Sequence, residues 1–215
     1  MTLDFVQKIT VFAIPLIFAI TVHEAAHAFA AKRFGDATAY MLGRMTLNPL
    51  KHIDPVWTIV VPLLTLLLTP FVFGAAKPVP VNFDALRNPK RDMIWVAAAG
   101  PGANLAMMLA WAVIGKLAGM GPETLPLIYL ELVAKAGIFV NALLMIFNLF
   151  PLLPLDGGRI LVGLLPSRAA NVFARTEPYG MFILIALMLS GVLGWVLWPL
   201  VGGTMDAVYS VLGLR

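Results

Sequence analysis

The chain has 215 residues, of which 60% are hydrophobic and only 12% are charged, and its mean hydropathy is +0.91. Because soluble domains carry about 25% charged residues, this composition excludes an ordinary soluble protein and predicts one integral membrane domain over residues 1–215. The lack of cysteine excludes disulfides and thiolate metal ligands. The net charge of +4 is explained by basic residues beside membrane spans, without nucleic acid as a partner.

Five apolar stretches are candidates for crossing the lipid bilayer, since a spanning helix needs about 20 apolar residues. They are residues 5–32, 56–73, 92–118, 129–150 and 178–200. The first stretch is too long for a signal peptide and contains a polar cluster, so it is expected to remain in the mature protein. The sequence therefore predicts an all-α polytopic membrane protein, folded as a helical bundle.

Basic residues indicate how these stretches are oriented. Segments 32–54, 74–91 and 156–177 together hold 11 of the 15 lysines and arginines, whereas the loop 119–126 has none. The positive-inside rule places the three basic segments in the cytoplasm and the loop outside. This arrangement requires 56–73 to enter and leave on the same side, as a re-entrant segment, which membrane proteins tolerate where protein buries the backbone.

The most informative polar cluster lies inside the first stretch, where His23, Glu24 and His27 form a His-Glu-x-x-His motif. Residues four apart share a helix face, so both imidazoles can bind one metal ion with Glu24 nearby. A lone histidine in an apolar helix is usually a satisfied core residue, but this pair at membrane depth favours a functional site. Catalytic zinc sites usually have three protein ligands. His52 is the sequence's one other histidine and is expected to shape a turn, so a carboxylate is expected as the third ligand.

The best carboxylate is Asp156, within the segment Asn148–Gly158. Two prolines there stop regular helix, and the glycine pair that follows Asp156 allows a sharp turn. An aspartate at this point can swing toward a metal on a neighbouring helix. It can also be read as the N-cap of the helix that follows, because aspartate is a good N-cap residue.

These motifs carry a family resemblance. The His-Glu-x-x-His motif in the first span and the NxxPxxPxDGG motif of residues 148–158 together resemble the site-2 protease family of intramembrane zinc metalloproteases. Residues 100–104, Gly-Pro-Gly-Ala-Asn, resemble the family's GPxxN motif, whose Gly100 and Gly102 are expected to allow close helix contact. The resemblance extends from about residue 5 to residue 200, without an inserted PDZ or CBS domain.

The resemblance implies roles for the polar residues. His23, His27 and Asp156 would bind one Zn2+ ion per chain, and Glu24 would be the general base. Asn148 would donate to the oxyanion that develops during hydrolysis, with Asn104 as the second choice. Both asparagines can instead be read as interhelical hydrogen-bonding residues, a common role for amides within membranes.

The implied substrate is a transmembrane or membrane-associated protein, cut at the cytoplasmic side of the cell membrane. Residues 77–82 alternate valine and proline, which favours extended backbone and predicts an edge strand that pairs with the substrate. Residues 41–47 are expected to supply a second strand, so that a small β-hairpin lies near the active site.

Two other classes of function remain open at this point. A transporter or metal channel could use the same histidines and carboxylates, although such proteins tend to show internal repeats and a polar path through several spans. A catalytically inactive scaffold could bind helices, although loss of Glu24 or a zinc ligand would be expected there. The favoured prediction is an intramembrane zinc endopeptidase.

Overall fold

A computed structural model describes residues 5–60 and 77–213, and these residues form helices joined by short turns. The α-helices are α1 (Phe5–Phe34), α2 (Thr38–Met41), α3 (Pro89–Gly119), α4 (Leu125–Asn148), α5 (Asp156–Leu164), α6 (Ser167–Ala174), α7 (Glu177–Leu189) and α8 (Val192–Leu212). Two 3-10 turns at Pro49–Lys51 and Phe83–Ala85 and a π-helical turn at Pro55–Val60 complete them.

Among the described residues, four helices are long and apolar enough to cross a membrane. They are Val6–Phe34, Pro89–Gly119, Leu125–Asn148 and Val192–Leu212. Helices α6 and α7 form a pair bent by 66°, which makes five spans if the pair is counted as one. A helix satisfies its own backbone hydrogen bonds and is therefore suited to lipid. The prediction of an all-α, multi-pass membrane protein is confirmed for the described residues, apart from the predicted β-hairpin.

The last predicted span, residues 178–200, is wrong as a single helix. Helix α7 ends at Leu189 and α8 begins at Val192, with Gly191 between them at a φ of +76°. Glycine adopts this left-handed conformation readily and ends helices by doing so. The apolar sequence continues across the break, so hydropathy alone could not reveal it.

The predicted β-hairpin does not form: no strand occurs in residues 41–47 or 77–82. The first segment is a turn, because Gly43 has a φ of +64° and the Arg44 N–H donates back to Ala39 O at 2.8 Å. Pro78 and Pro80 lack the N–H groups that a strand pair requires. The predicted re-entrant segment 56–73 lies largely outside the described residues, which resume at Lys77.

Helices α3 and α4 pack closely because small residues let their backbones approach. A Cβ at Gly137 of α4 would overlap the ring of Trp111 of α3, and a Cβ at Gly115 of α3 would lie 3.2 Å from Ala134 Cβ. Helix α5 lies against the start of α3, where a Cβ at Gly163 would overlap Ile94. With α1 packed along α3, this arrangement brings α1 and α5 to the same face of α3.

Candidate metal centre

Three side chains from α1 and α5 converge on one point. The Nε2 atoms of His23 and His27 are 3.1 Å apart, as expected for residues one helical turn apart. Asp156 Oδ2 lies 3.3 Å from His23 Nε2, and Oδ1 lies 3.4 Å from His27 Nε2. Both histidines are buried, and the three ligand atoms lie within 4.8 Å of one another. The two motifs thus meet although more than 120 residues separate them in the sequence.

The outer nitrogen of each imidazole is held by an acceptor on α3. His27 Nδ1 lies 2.8 Å from Val96 O, and His23 Nδ1 lies 2.6 Å from Asn104 Oδ1. Since a carbonyl oxygen only accepts, each Nδ1 carries a proton. In the neutral imidazole this leaves the lone pair on Nε2, the atom beside Asp156. This orientation of histidine by an outer acceptor is typical of metal ligands.

The donor set fits a divalent metal such as zinc. Two imidazole nitrogens and a carboxylate are a usual set of protein ligands for a catalytic zinc ion. The buried Asp156 Oδ2 has no hydrogen-bond partner of its own, and an unpaired buried carboxylate oxygen is costly. A cation between the three side chains would satisfy this oxygen and both lone pairs.

Gly100 lets α3 lie directly beneath the two imidazoles. A Cβ at Gly100 would overlap His27 Nε2 and would lie 2.6 Å from His23 Cε1. The expected close contact is therefore present at Gly100, but it is absent at Gly102, where a Cβ would meet nothing within 4 Å. The residues of α3 that contact the histidines are Val96, Gly100 and Asn104. They are four residues apart, as His23 and His27 are, and therefore share one face of α3.

The loop from α4 to α5 positions Asp156. Asp156 is the first residue of α5, and the N-cap position belongs to Leu155, which has no capping side chain. The position of Asp156 therefore does not support its interpretation as an N-cap residue. A Cβ at Gly157 would overlap Leu149 O, and one at Gly158 would lie 2.5 Å from Leu153 N. The paired glycines thus let the start of α5 pack on its own loop.

Glu24 accepts a hydrogen bond from a distant backbone group. The Val79 N–H donates to Glu24 Oε2 at 2.7 Å. The segment around Val79 is held on both sides, because Arg44 Nη2 donates to Lys77 O at 2.8 Å and the Asn82 N–H donates to Asp36 Oδ2 at 2.7 Å. Residues 77–82 therefore lie beside Glu24 although they do not form a strand.

The asparagines differ in their surroundings. Asn148 is half-buried, and its Nδ2 donates to Leu144 O at 2.9 Å. Asn104 is fully buried, and its Nδ2 donates to Asn141 Oδ1 at 3.0 Å and to Ala19 O at 3.4 Å. Sequence reasoning missed the link from Asn141 through Asn104 to His23. The four-residue spacing of Gly100 and Asn104 was the signal that could have revealed it.

His52 lies apart from this cluster. Its buried ring places Nε2 2.9 Å from Thr46 O. It thus closes the turn that leads to the 3-10 helix at Pro49–Lys51. This contact agrees with the expectation that His52 shapes a turn.

The protein combines several membrane spans with a set of two histidines and one aspartate, and a glutamate follows the first histidine on α1. These are the features of a membrane-embedded zinc metalloprotease. Residues 123–191 match the model of peptidase family M50. The Bacillus subtilis protein named "Putative zinc metalloprotease YwhC" is 35% identical over 201 residues, which are 92% of this chain and 89% of that protein. The chain therefore belongs to peptidase family M50, the site-2 protease family of zinc metalloproteases.

More distant relatives are longer than this chain. "Putative zinc metalloprotease Rip2" of Mycolicibacterium smegmatis is 29% identical over 175 residues, which cover 81% of this chain and 64% of that protein. Its namesake in Mycobacterium tuberculosis is 28% identical over 185 residues, covering 83% of this chain and 67% of that protein. No solved structure matches the chain.

Proposed function

We propose that this zinc metalloprotease is an intramembrane endopeptidase that hydrolyses peptide bonds in or near transmembrane segments. One Zn2+ ion per chain is held by His23, His27 and Asp156, and Glu24 is the general base. The observation that carries the proposal is the convergence of His23 and His27 of the apolar helix α1 with Asp156 of α5. Glu24 directly follows the first histidine.

The protein's own groups then divide the work. When bound, zinc supplies a Lewis acid that lowers the pKa of water and polarises the scissile carbonyl. Glu24 takes the proton of the attacking water and returns it to the leaving amine. The Val79 N–H holds one oxygen of the Glu24 carboxylate, which limits the orientations that this side chain can adopt.

The two asparagines have separate roles in this proposal. An amide has two N–H donors, and the half-buried Asn148 uses one of them on Leu144 O. The other N–H is suited to an oxyanion, a role worth about two to three orders of magnitude in rate in other enzymes. Asn104 directs its amide nitrogen toward Asn141 and Ala19, so we assign it to positioning His23 instead.

The substrate is a transmembrane or membrane-associated protein, as the protease family implies. A helical peptide hides its carbonyls in internal hydrogen bonds and must unwind before hydrolysis. Residues 77–82, which lie beside Glu24, are proposed to contact the unwound substrate. The whole chain acts as one domain in the cell membrane, with its metal centre toward the cytoplasmic side, where the basic segments lie.

The test uses purified protein in liposomes with a panel of single-span substrates. We compare wild type, Glu24→Gln and Glu123→Gln, an identical change at an exposed position away from the metal centre. We expect wild type and Glu123→Gln to cut, Glu24→Gln not to cut, and all three to hold about one zinc per chain. If wild type binds zinc but does not cut, an inactive scaffold is favoured. If none of the three proteins binds metal, a transporter or channel is favoured.

A further inference from the structure

An open polar cavity lies away from the metal centre, between the end of α1 and the start of α3. Its volume is about 360 Å³. Its walls are formed by Arg33 and Phe34 of α1, by Arg87 in the turn before α3, and by Arg91 and Trp95 of α3. This volume is within the range of ordinary small-ligand sites, about 300–1,000 Å³.

The cavity has a strong excess of positive charge. Three exposed arginines line it together with one carboxylate, Asp92, which is buried and accepts the Asn88 N–H at 2.8 Å. Among the described residues, Arg33, Arg87 and Arg91 form no ion pair. Guanidinium groups bind phosphate oxygens in a bidentate manner.

The position of the cavity indicates where the anion comes from. Phe34 and Pro89 are the ends of two helices that are long and apolar enough to cross a membrane. If both helices span it, the cavity lies near the lipid head groups. Trp95, one turn into α3 from Arg91, is 56% exposed. Tryptophan is enriched at this interface, where its ring contacts both head groups and acyl chains.

We propose that this cavity binds the phosphate group of an anionic phospholipid. Basic pockets between transmembrane helices bind such head groups, and the excess of arginine favours an anionic lipid over a zwitterionic one. Phe34 and Trp95 give the cavity an apolar wall against the glycerol and acyl part of the lipid. A free phosphate ion has no apolar part to contact that wall. The wall therefore favours a lipid over a free phosphate ion as the ligand.

Such a lipid would also support the metal centre. It would contact the end of α1 and the start of α3, the two helices that hold His27. Val96, whose carbonyl lies 2.8 Å from His27 Nδ1, directly follows Trp95. A lipid that joins the two helices here therefore stabilises the same helix pair that orients the ligand.

The test compares two double variants with equal loss of charge. Arg87→Gln/Arg91→Gln removes two arginines of the cavity, whereas Arg168→Gln/Arg175→Gln removes two exposed arginines of α6 and the turn after it, outside the cavity. Binding of phosphatidylglycerol, phosphatidylcholine and soluble glycerol phosphate to detergent-solubilised protein is measured by native mass spectrometry. We expect wild type and the α6 variant to bind phosphatidylglycerol preferentially, and the cavity variant to bind it on the order of tenfold more weakly.

Three results would overturn the proposal. Equal weakening in both double variants would show a general effect of charge. Equal binding of glycerol phosphate and phosphatidylglycerol would show a site for soluble phosphate. Unchanged lipid binding together with a raised KM for substrates that carry acidic residues beside their span would assign the arginines to a protein segment. Lipid binding is measured without cleavage, so its outcome is independent of the proposed protease activity.

Discussion

Oδ1 of Asn104 lies 2.6 Å from Nδ1 of His23, across 81 residues of sequence. Asn104 is itself fixed, because its Nδ2 donates to Asn141 Oδ1 at 3.0 Å, and Asn141 Nδ2 donates to Gly137 O at 2.8 Å. The two amides form a hydrogen-bonded chain from α4 through α3 to a proposed zinc ligand on α1. This chain sets the orientation of the imidazole and keeps a proton on its Nδ1 atom.

We predict that Asn104→Leu, which has a similar volume but no acceptor, weakens zinc binding about 10- to 100-fold. His23 would lose the partner that keeps the proton on Nδ1. Asn104→Asp keeps an acceptor at the same place and should retain tighter zinc binding than Asn104→Leu. Competition with a chromophoric chelator measures both affinities. Equal affinities in the two variants would show that Asn104 does not orient His23.

Gly100 and Gly102 provide a matched pair of substitutions on α3. We predict that Gly100→Ala lowers zinc affinity by at least about tenfold, because the new methyl group would overlap His27 and displace the imidazoles. Gly102→Ala should leave the affinity unchanged, since its methyl group would meet nothing within 4 Å. Zinc content after dialysis against a metal buffer is the measurement. Loss of zinc in both variants would point to a general effect on α3.

The grouping of His23, His27 and Asp156 was predictable from sequence because local spacing and a local motif mark these residues. His23 and His27 share a helix face by periodicity, and Asp156 stands in a proline- and glycine-rich motif that is visible in the sequence. Resemblance to a family joined the two motifs, which periodicity alone could not do. The all-helical fold followed in the same way from apolar length.

The features that sequence reasoning missed depend on contacts between distant segments or on one backbone angle. The broken span between α7 and α8 depends on the left-handed conformation of Gly191 within continuous apolar sequence. The bond from Val79 to Glu24 joins residues 55 apart. The predicted pairing of residues 41–47 with residues 77–82 was wrong. The two segments are joined by the guanidinium group of Arg44, which donates to Lys77 O, and not by a backbone ladder.

The contact between Val79 and Glu24 is testable by removing one N–H group. We predict that Val79→Pro lowers the cleavage rate by about one to two orders of magnitude while zinc remains bound, because a general base contributes about 10²- to 10⁴-fold and would be misplaced. Val81→Pro removes the N–H two residues further on, which has no hydrogen bond among the described residues, and should have a smaller effect. Rates are measured with one substrate in liposomes. A faster Val79→Pro enzyme would mean that this contact restrains Glu24.

The position of Asp156 depends on helix α7, which packs against the loop before it. A Cβ at Gly180 of α7 would overlap Leu153 O, so Gly180→Ala must shift either the helix or the loop that carries Asp156. Gly203→Ala, on α8, is the matched control, because a Cβ there would meet nothing within 4 Å. A ligand that binds the folded state alone stabilises it by about 2.7 kcal/mol at a hundredfold excess over its Kd. Zinc should therefore raise the Tm of wild type and of Gly203→Ala.

We predict that zinc raises the Tm of Gly180→Ala much less, because a displaced Asp156 leaves two histidines to hold the ion. Thermal unfolding in detergent, with zinc and with a chelator, gives this difference for each variant. The comparison separates two effects of the methyl group. A general packing defect lowers the Tm equally in zinc and in chelator, whereas displacement of Asp156 acts mainly on the zinc-bound protein. An undiminished zinc response in Gly180→Ala would show that the loop holds Asp156 without support from α7.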